Sequence, residues 1–121
     1  MDTIKVAQLL AALAQETRLR VFRVLLEYGG TGLAAGKLAE RLDIAHNSLS
    51  FHLSHLKQAG LVSCAKQGRQ LIYTANTAAV EQLIAYLRVN CCIHEEGEIS
   101  TCSTNFNPAD SRHHKCPQAL K

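Results

Sequence analysis

Short one-sided apolar stretches separated by polar or glycine-containing breaks make up the first three quarters of the chain. "TIKVAQLLAALAQ" carries its apolar residues on one broad face and predicts a first helix. "TRLRVFRVLLEYGG" predicts a second, with Leu19, Phe22, Val24, Leu25 and Leu26 marking a core side and Arg18, Arg20 and Arg23 interleaved. Gly29 and Gly30 end it, as glycines commonly end helices. "GLAAGKLAERLDI" reads as a short third helix through Leu38, Ala39 and Leu42. "AHNSLSFHLSHLKQAG" reads as a fourth, closed by Gly60, with Ala45, Leu49, Leu53 and Leu56 in one stripe.

After Gly60 the period changes. "LVSCAK" and "LIYTA" flank "QGRQ" and predict a β-hairpin, with Gly68 giving the turn its permissive backbone. "TAAVEQLIAYLRVN" returns to helix, with Val80, Leu83, Ile84 and Leu87 at i, i+3, i+4 and i+7 and Asn90 at its end. From Glu95 the periodicity is lost and Ser, Thr, Asn and Pro accumulate, which predicts a tail with little fixed structure. Helix, helix, helix–turn–helix, hairpin, helix is the outline of a winged helix–turn–helix. The expected fold is therefore mainly α with a β-hairpin wing, over residues 1–92, followed by a flexible tail over 93–121.

At 121 residues and 47% hydrophobic content, one modest core is expected. The N-terminal stretch has an acidic residue at position 2 and apolar positions broken by Lys5 and Gln8. It resembles neither a signal peptide nor a membrane span, so a cytoplasmic location without membrane association is expected. Thiols stay reduced there, and five cysteines then suit ligands or sensors better than a disulfide frame. The net charge of +3 is unevenly placed: residues 1–90 hold ten Lys/Arg against six Asp/Glu, while the remainder holds three against four. That mild basic excess permits polyanion binding without demanding it.

The side of the fourth helix opposite the leucine stripe displays Asn47, Ser48, Ser50, Phe51, Ser54, His55 and Gln58. A solvated helix usually shows Lys and Glu, whereas a helix in a major groove needs short donors and acceptors that approach base edges. Any one of these residues alone is more simply a solvated side chain. Together, and followed by a hairpin tip with Lys66, Gln67, Arg69 and Gln70, they point to double-stranded DNA. Phe51 faces outward without a core to justify it, and His52 sits at the flank of the stripe as a packed histidine.

"TRLRVFRVLL", "KLAERLDIAHNSLSFHLSHLKQAGLV" and "KQGRQLIYTA" together resemble the ArsR/SmtB family of winged-helix repressors, over roughly residues 5–90. The resemblance is strongest from Ser48 to Val62. It implies a homodimeric, operator-binding repressor released by a metal or metalloid, with dimerisation through the first and last helices. Val80, Leu83, Ile84 and Leu87 are the residues this assigns to the dimer.

The family's inducer sites are not all present. The third helix has no cysteine, and the last helix offers neither Asp nor His. What remains is "NCCIHEEGEISTC", which resembles the arsenic-responsive branch with an adjacent Cys pair past the last helix and a third Cys downstream. The implied ligands are Cys91, Cys92 and Cys102, for As(III) or Sb(III). Those soft ions take three thiolates in a pyramid, whereas structural zinc prefers four ligands. Cys102 follows the pair at a longer interval than in those members, which leaves Cys116 as a further candidate and leaves the subunit of origin open. Cys64, in a hairpin strand, reads as a small packed residue, and His94, His113 and His114 as solvated. Inducer binding is expected to re-aim the end of the dimer helix and alter the spacing of two groove-seated helices. A Zn/Cd/Pb or thiol-redox sensor on the same fold is the first alternative, and a metalloid-carrying chaperone without a DNA role the second. No nucleophile–base pair or phosphate-cradling glycine loop suggests an enzyme.

Overall fold

Asp2 starts the first helix, its carboxylate accepting a hydrogen bond from the Lys5 amide at 2.8 Å. The computed structural model describes residues 1–95. Helix α1 spans Thr3–Leu13 and α2 spans Glu16–Tyr28, the latter capped by the Gln15 side chain on the Arg18 amide. Capping of this kind satisfies amide donors that have no partner within the helix. Gly29, at φ 55°, ends α2 where the glycine pair predicts.

The segment expected as one helix from Gly32 to Ile44 divides. Leu33–Ala34 form a two-residue strand, β1, and only Ala35–Leu42 are helical, as α3. β1 pairs antiparallel with the second hairpin strand, Leu33 opposite Tyr73 and Ala34 opposite Ile72. Gly32 makes that pairing possible: at φ 73°, a Cβ there would lie 2.7 Å from both the Tyr73 carbonyl oxygen and Thr74 Oγ1. The loop and strand approach more closely than any side chain permits.

Asp43 takes a left-handed conformation (φ 55°) and the Ile44 amide returns to the Ala39 carbonyl at 3.0 Å, which closes α3 and turns the chain. Helix α4 then runs His46–Gln58. The hairpin follows as β2 (Val62–Gln67) and β3 (Gln70–Ala75), giving a three-stranded antiparallel sheet in the order β1-β3-β2. Gln67 pairs with Gln70, so the turn is Gly68–Arg69, with positive φ (62°) at the glycine alone. That is the two-residue II′ pattern, whose twist matches the strands. Asn76 joins the hairpin to both neighbours: its side chain donates to the Gly60 carbonyl and accepts from the Ala79 amide at the start of α5, Thr77–Arg88.

The core gathers Leu9, Val21, Phe22, Leu25, Leu38, Leu49, Leu53, Leu56 and Leu61, with no charged side chain buried among the described residues. Two expected core positions differ. Leu19 is 42% exposed while Val21 is fully buried, so the inner face of α2 is rotated from the predicted one. Ala45 is exposed, because it caps α4 instead of packing within it. Met1–Tyr86 form one compact unit, and the chain from Leu87 onward belongs to a second. No helix among the described residues is long and apolar enough to cross a membrane.

Candidate nucleic-acid interface and thiol site

Leu49, Leu53 and Leu56 bury one row of α4, and this fixes what the other side presents. Asn47, Ser48, Ser50, Phe51, Ser54 and His55 are all exposed. Phe51 is 60% exposed, its ring edge-on to His55 with centroids 4.6 Å apart and to His52 at 5.8 Å. The helix contains no acidic residue, and its last turn adds His55 and Lys57. Lys66 on β2 and Arg69 at the turn are exposed on the hairpin. The outward side of α4 thus presents polar and aromatic groups with no carboxylate on the helix itself, the kind of groups that suit a groove-reading helix.

His52 lies between the two faces. Its Nδ1 is buried and has no hydrogen-bond partner among the described residues. Burial holds its pKa below the ordinary histidine value, with the charges of Arg18 and His55 pushing the same way. Arg18 is held in place by a 2.7 Å hydrogen bond from its Nε to the Ala12 carbonyl, at the end of α1. Burial and the Arg18 charge thus both disfavour the protonated ring.

Of the residues assigned to the dimer, Leu83 is buried and Val80 packs against the same chain's core. Ile84 and Leu87 are 49% and 59% exposed. Ile4 and Leu10 of α1 are exposed too, and the Thr3 and Tyr86 hydroxyls are hydrogen-bonded, which brings the start of α1 beside α5.

Beyond α5 the chain continues in tight turns, with the Cys91 amide on the Arg88 carbonyl (3.0 Å) and the Glu95 amide on the Cys92 carbonyl (3.1 Å). Asn90 (φ 64°) and Cys92 (φ 65°) are left-handed. Asparagine tolerates this readily; a cysteine held there is an uncommon arrangement that costs about 1 kcal/mol or more. The result places the Cys91 and Cys92 sulfurs 3.5 Å apart, both side chains exposed. With a metal–thiolate bond of about 2.3 Å, sulfurs at that separation subtend roughly 100° at one ion, so the pair fits joint coordination. Among the described residues no third His, Cys, Asp or Glu completes a cluster. Cys102, Cys116, His113 and His114 lie outside the described residues. Cys64 is half-buried on β2 opposite Tyr73, whose phenol pKa is raised by burial and by a hydrogen bond with that thiol.

Lys37 and His46 were not singled out from the sequence, yet they share one cleft with Ser50, Arg69 and Gln70. Their separation in the chain leaves no local pattern to find.

The comparisons agree with this architecture. Residues 13–65 match the family model described as a helix-turn-helix domain. The transcriptional activator HlyU of Vibrio cholerae is 33% identical over 91 residues, 75% of this chain and 82% of that protein. The transcriptional repressor SdpR of Bacillus subtilis is 32% identical over 76 residues, 63% of this chain and 81% of that protein. A solved ArsR-like transcriptional regulator from Rhodococcus sp. RHA1 superposes with a TM-score of 0.66 at 29% identity, covering 76% of this chain and 84% of the other.

Proposed function

Because this chain belongs to the ArsR/SmtB family of winged helix–turn–helix transcriptional regulators, and so binds DNA and is not an enzyme, we propose that it is a metalloid-responsive repressor. Its apo homodimer lays two copies of α4 into successive major grooves of an operator, about one helical turn apart. As(III) or Sb(III) is the inducer, with Cys91, Cys92 and Cys102 as the thiolates that would hold it and Cys116 as the alternative third ligand.

One observation carries the reading: two neighbouring sulfurs 3.5 Å apart, immediately beyond the last helix. Adjacent cysteines make a poor disulfide, because consecutive α-carbons lie about 3.8 Å apart and disulfides favour more. A soft ion that takes thiolates suits them better. Drawing the two thiols toward a third strains the turn that ends α5. Since α5 is assigned to the dimer, the strain changes the distance between the reading helices. Each tenfold loss of operator affinity corresponds to about 1.4 kcal/mol of coupling.

Fluorescence anisotropy with operator DNA, all thiols reduced, tests this. Arsenite is expected to release the wild-type protein, while Cys91→Ser and Cys92→Ser bind DNA normally and stay bound when arsenite is added. A complex that survives arsenite, or a serine variant that is released normally, overturns the assignment. Release by zinc or peroxide but not arsenite favours the other sensor chemistries. X-ray absorption at the arsenic edge is expected to count three sulfur neighbours, and comparing Cys102→Ser with Cys116→Ser identifies the third.

A further inference from the structure

The start of α3, the start of α4 and the hairpin tip enclose an open cleft of about 480 Å³. Lys37 of α3, His46 and Ser50 of α4, and Arg69 and Gln70 of the hairpin line it, with Glu40 on the α3 side. Neither Lys37 nor Arg69 is engaged in an ion pair among the described residues, whereas Arg41 pairs with Glu27 at 2.8 Å. Two cations and an imidazole, supplied by three separate elements, therefore line one concave surface.

Gly36 also lines this cleft, as the second residue of α3. Its backbone is not left-handed, and a Cβ added there would meet nothing within 4 Å. Neither conformation nor crowding requires glycine, which costs a helix about 1 kcal/mol relative to alanine. A bare peptide plane does serve close approach by a ligand.

We propose that this cleft seats a phosphate of the operator's sugar–phosphate backbone, held between Lys37, His46 and Arg69 over the uncovered backbone at Gly36. The inference rests on α4 being the DNA-reading helix and specifies how that helix is positioned. A stacked base cannot enter a concave cleft, whereas a phosphate projects from the duplex and accepts donors from several directions. Wing and reading helix then grip the same strand, which sets the register of α4 without reading sequence. Glu40 is the one carboxylate in the cleft and opposes the phosphate.

Titrating the full-length protein with operator DNA and with unrelated duplex of equal length, across a salt series, tests the seat. Lys37→Gln and Arg69→Gln are each expected to weaken binding to both duplexes by the same factor. Each should also reduce the slope of log affinity against log salt by about 0.9, the release of one phosphate's counterions. Glu40→Gln is expected to tighten binding to both, and Gly36→Val to weaken it without lowering the thermal midpoint. A Lys37→Gln effect confined to the operator would mean base readout and overturn the proposal, as would unchanged slopes or an indifferent Glu40→Gln. If Asn47→Ala abolishes operator preference while Lys37→Gln is silent, the seat fails and the reading helix stands. If the wild type binds neither duplex, both fail.

Discussion

His52 shows how a single side chain can make stability depend on pH. Its imidazole pKa is lowered in the folded chain, first by burial and then by the charges of Arg18 and His55. The unfolded chain therefore binds the proton more readily, and stability rises with pH between the folded value and about 6.5. The contribution is complete above about pH 6.5 and is lost as pH falls toward the folded value. Urea unfolding midpoints are expected to drop between pH 7.5 and 5.5, and His52→Gln to drop less over the same interval. An equal decline in both proteins would place the acid sensitivity elsewhere. Gly32 is the other residue with a sharp consequence. A side chain there meets Tyr73 and Thr74 at 2.7 Å and must hold φ 73°, so Gly32→Ala is expected to cost more than about 1 kcal/mol in denaturant unfolding. A neutral result would mean that β1 is not held against β3.

At the scale of elements, α4 separates folding from function by face. Leu53, 1% exposed, belongs to the inner row, and Phe51, 60% exposed, to the outer. Leu53→Ala is expected to cost about 2–5 kcal/mol of stability, by lost burial and the cavity left behind. Phe51→Ala is expected to change stability by less than about 0.5 kcal/mol while weakening operator binding. Chemical unfolding and anisotropy on the same two variants check the pair. If Phe51→Ala unfolds the protein, the ring packs on its own domain instead of facing DNA. The hairpin follows the same division: Val62 and Ala75 are buried at its base, while Lys66 and Arg69 are exposed toward its tip.

For the whole molecule, what stands out is apolar surface left uncovered by a single chain. Ile4 is 72% exposed, Leu10 42% and Ile84 49%, on two helices brought together by the Thr3–Tyr86 hydrogen bond. A second copy is the proposed cover. Ile4→Glu and Ile84→Glu are therefore expected to shift sedimentation from dimer to monomer at micromolar concentration without loss of helix content. Operator affinity should fall with it, since two linked heads bind far more tightly than one. A dimer that survives both substitutions lies on another face. Val80 and Leu83 are poor places for this test, because they already pack into their own core.

Local geometry carries most of what could be read directly from the chain. Helical spacing, helix-ending glycines, the Gly68 turn and the outward face of α4 each depend on residues within a few positions of one another, and the structure follows them. So does the adjacency of Cys91 and Cys92. Tertiary packing decided the rest. Leu19 lies outside and Val21 inside because neighbouring helices select which part of a broad apolar face is covered. Leu83 turned inward while Ile84 stayed exposed for the same reason. β1 exists because Gly32 lets a distant strand approach, and Lys37 and Arg69 come to line one cleft only once the sheet has formed. Periodicity describes how a chain presents its side chains; contacts between residues far apart in sequence determine which of them leave water.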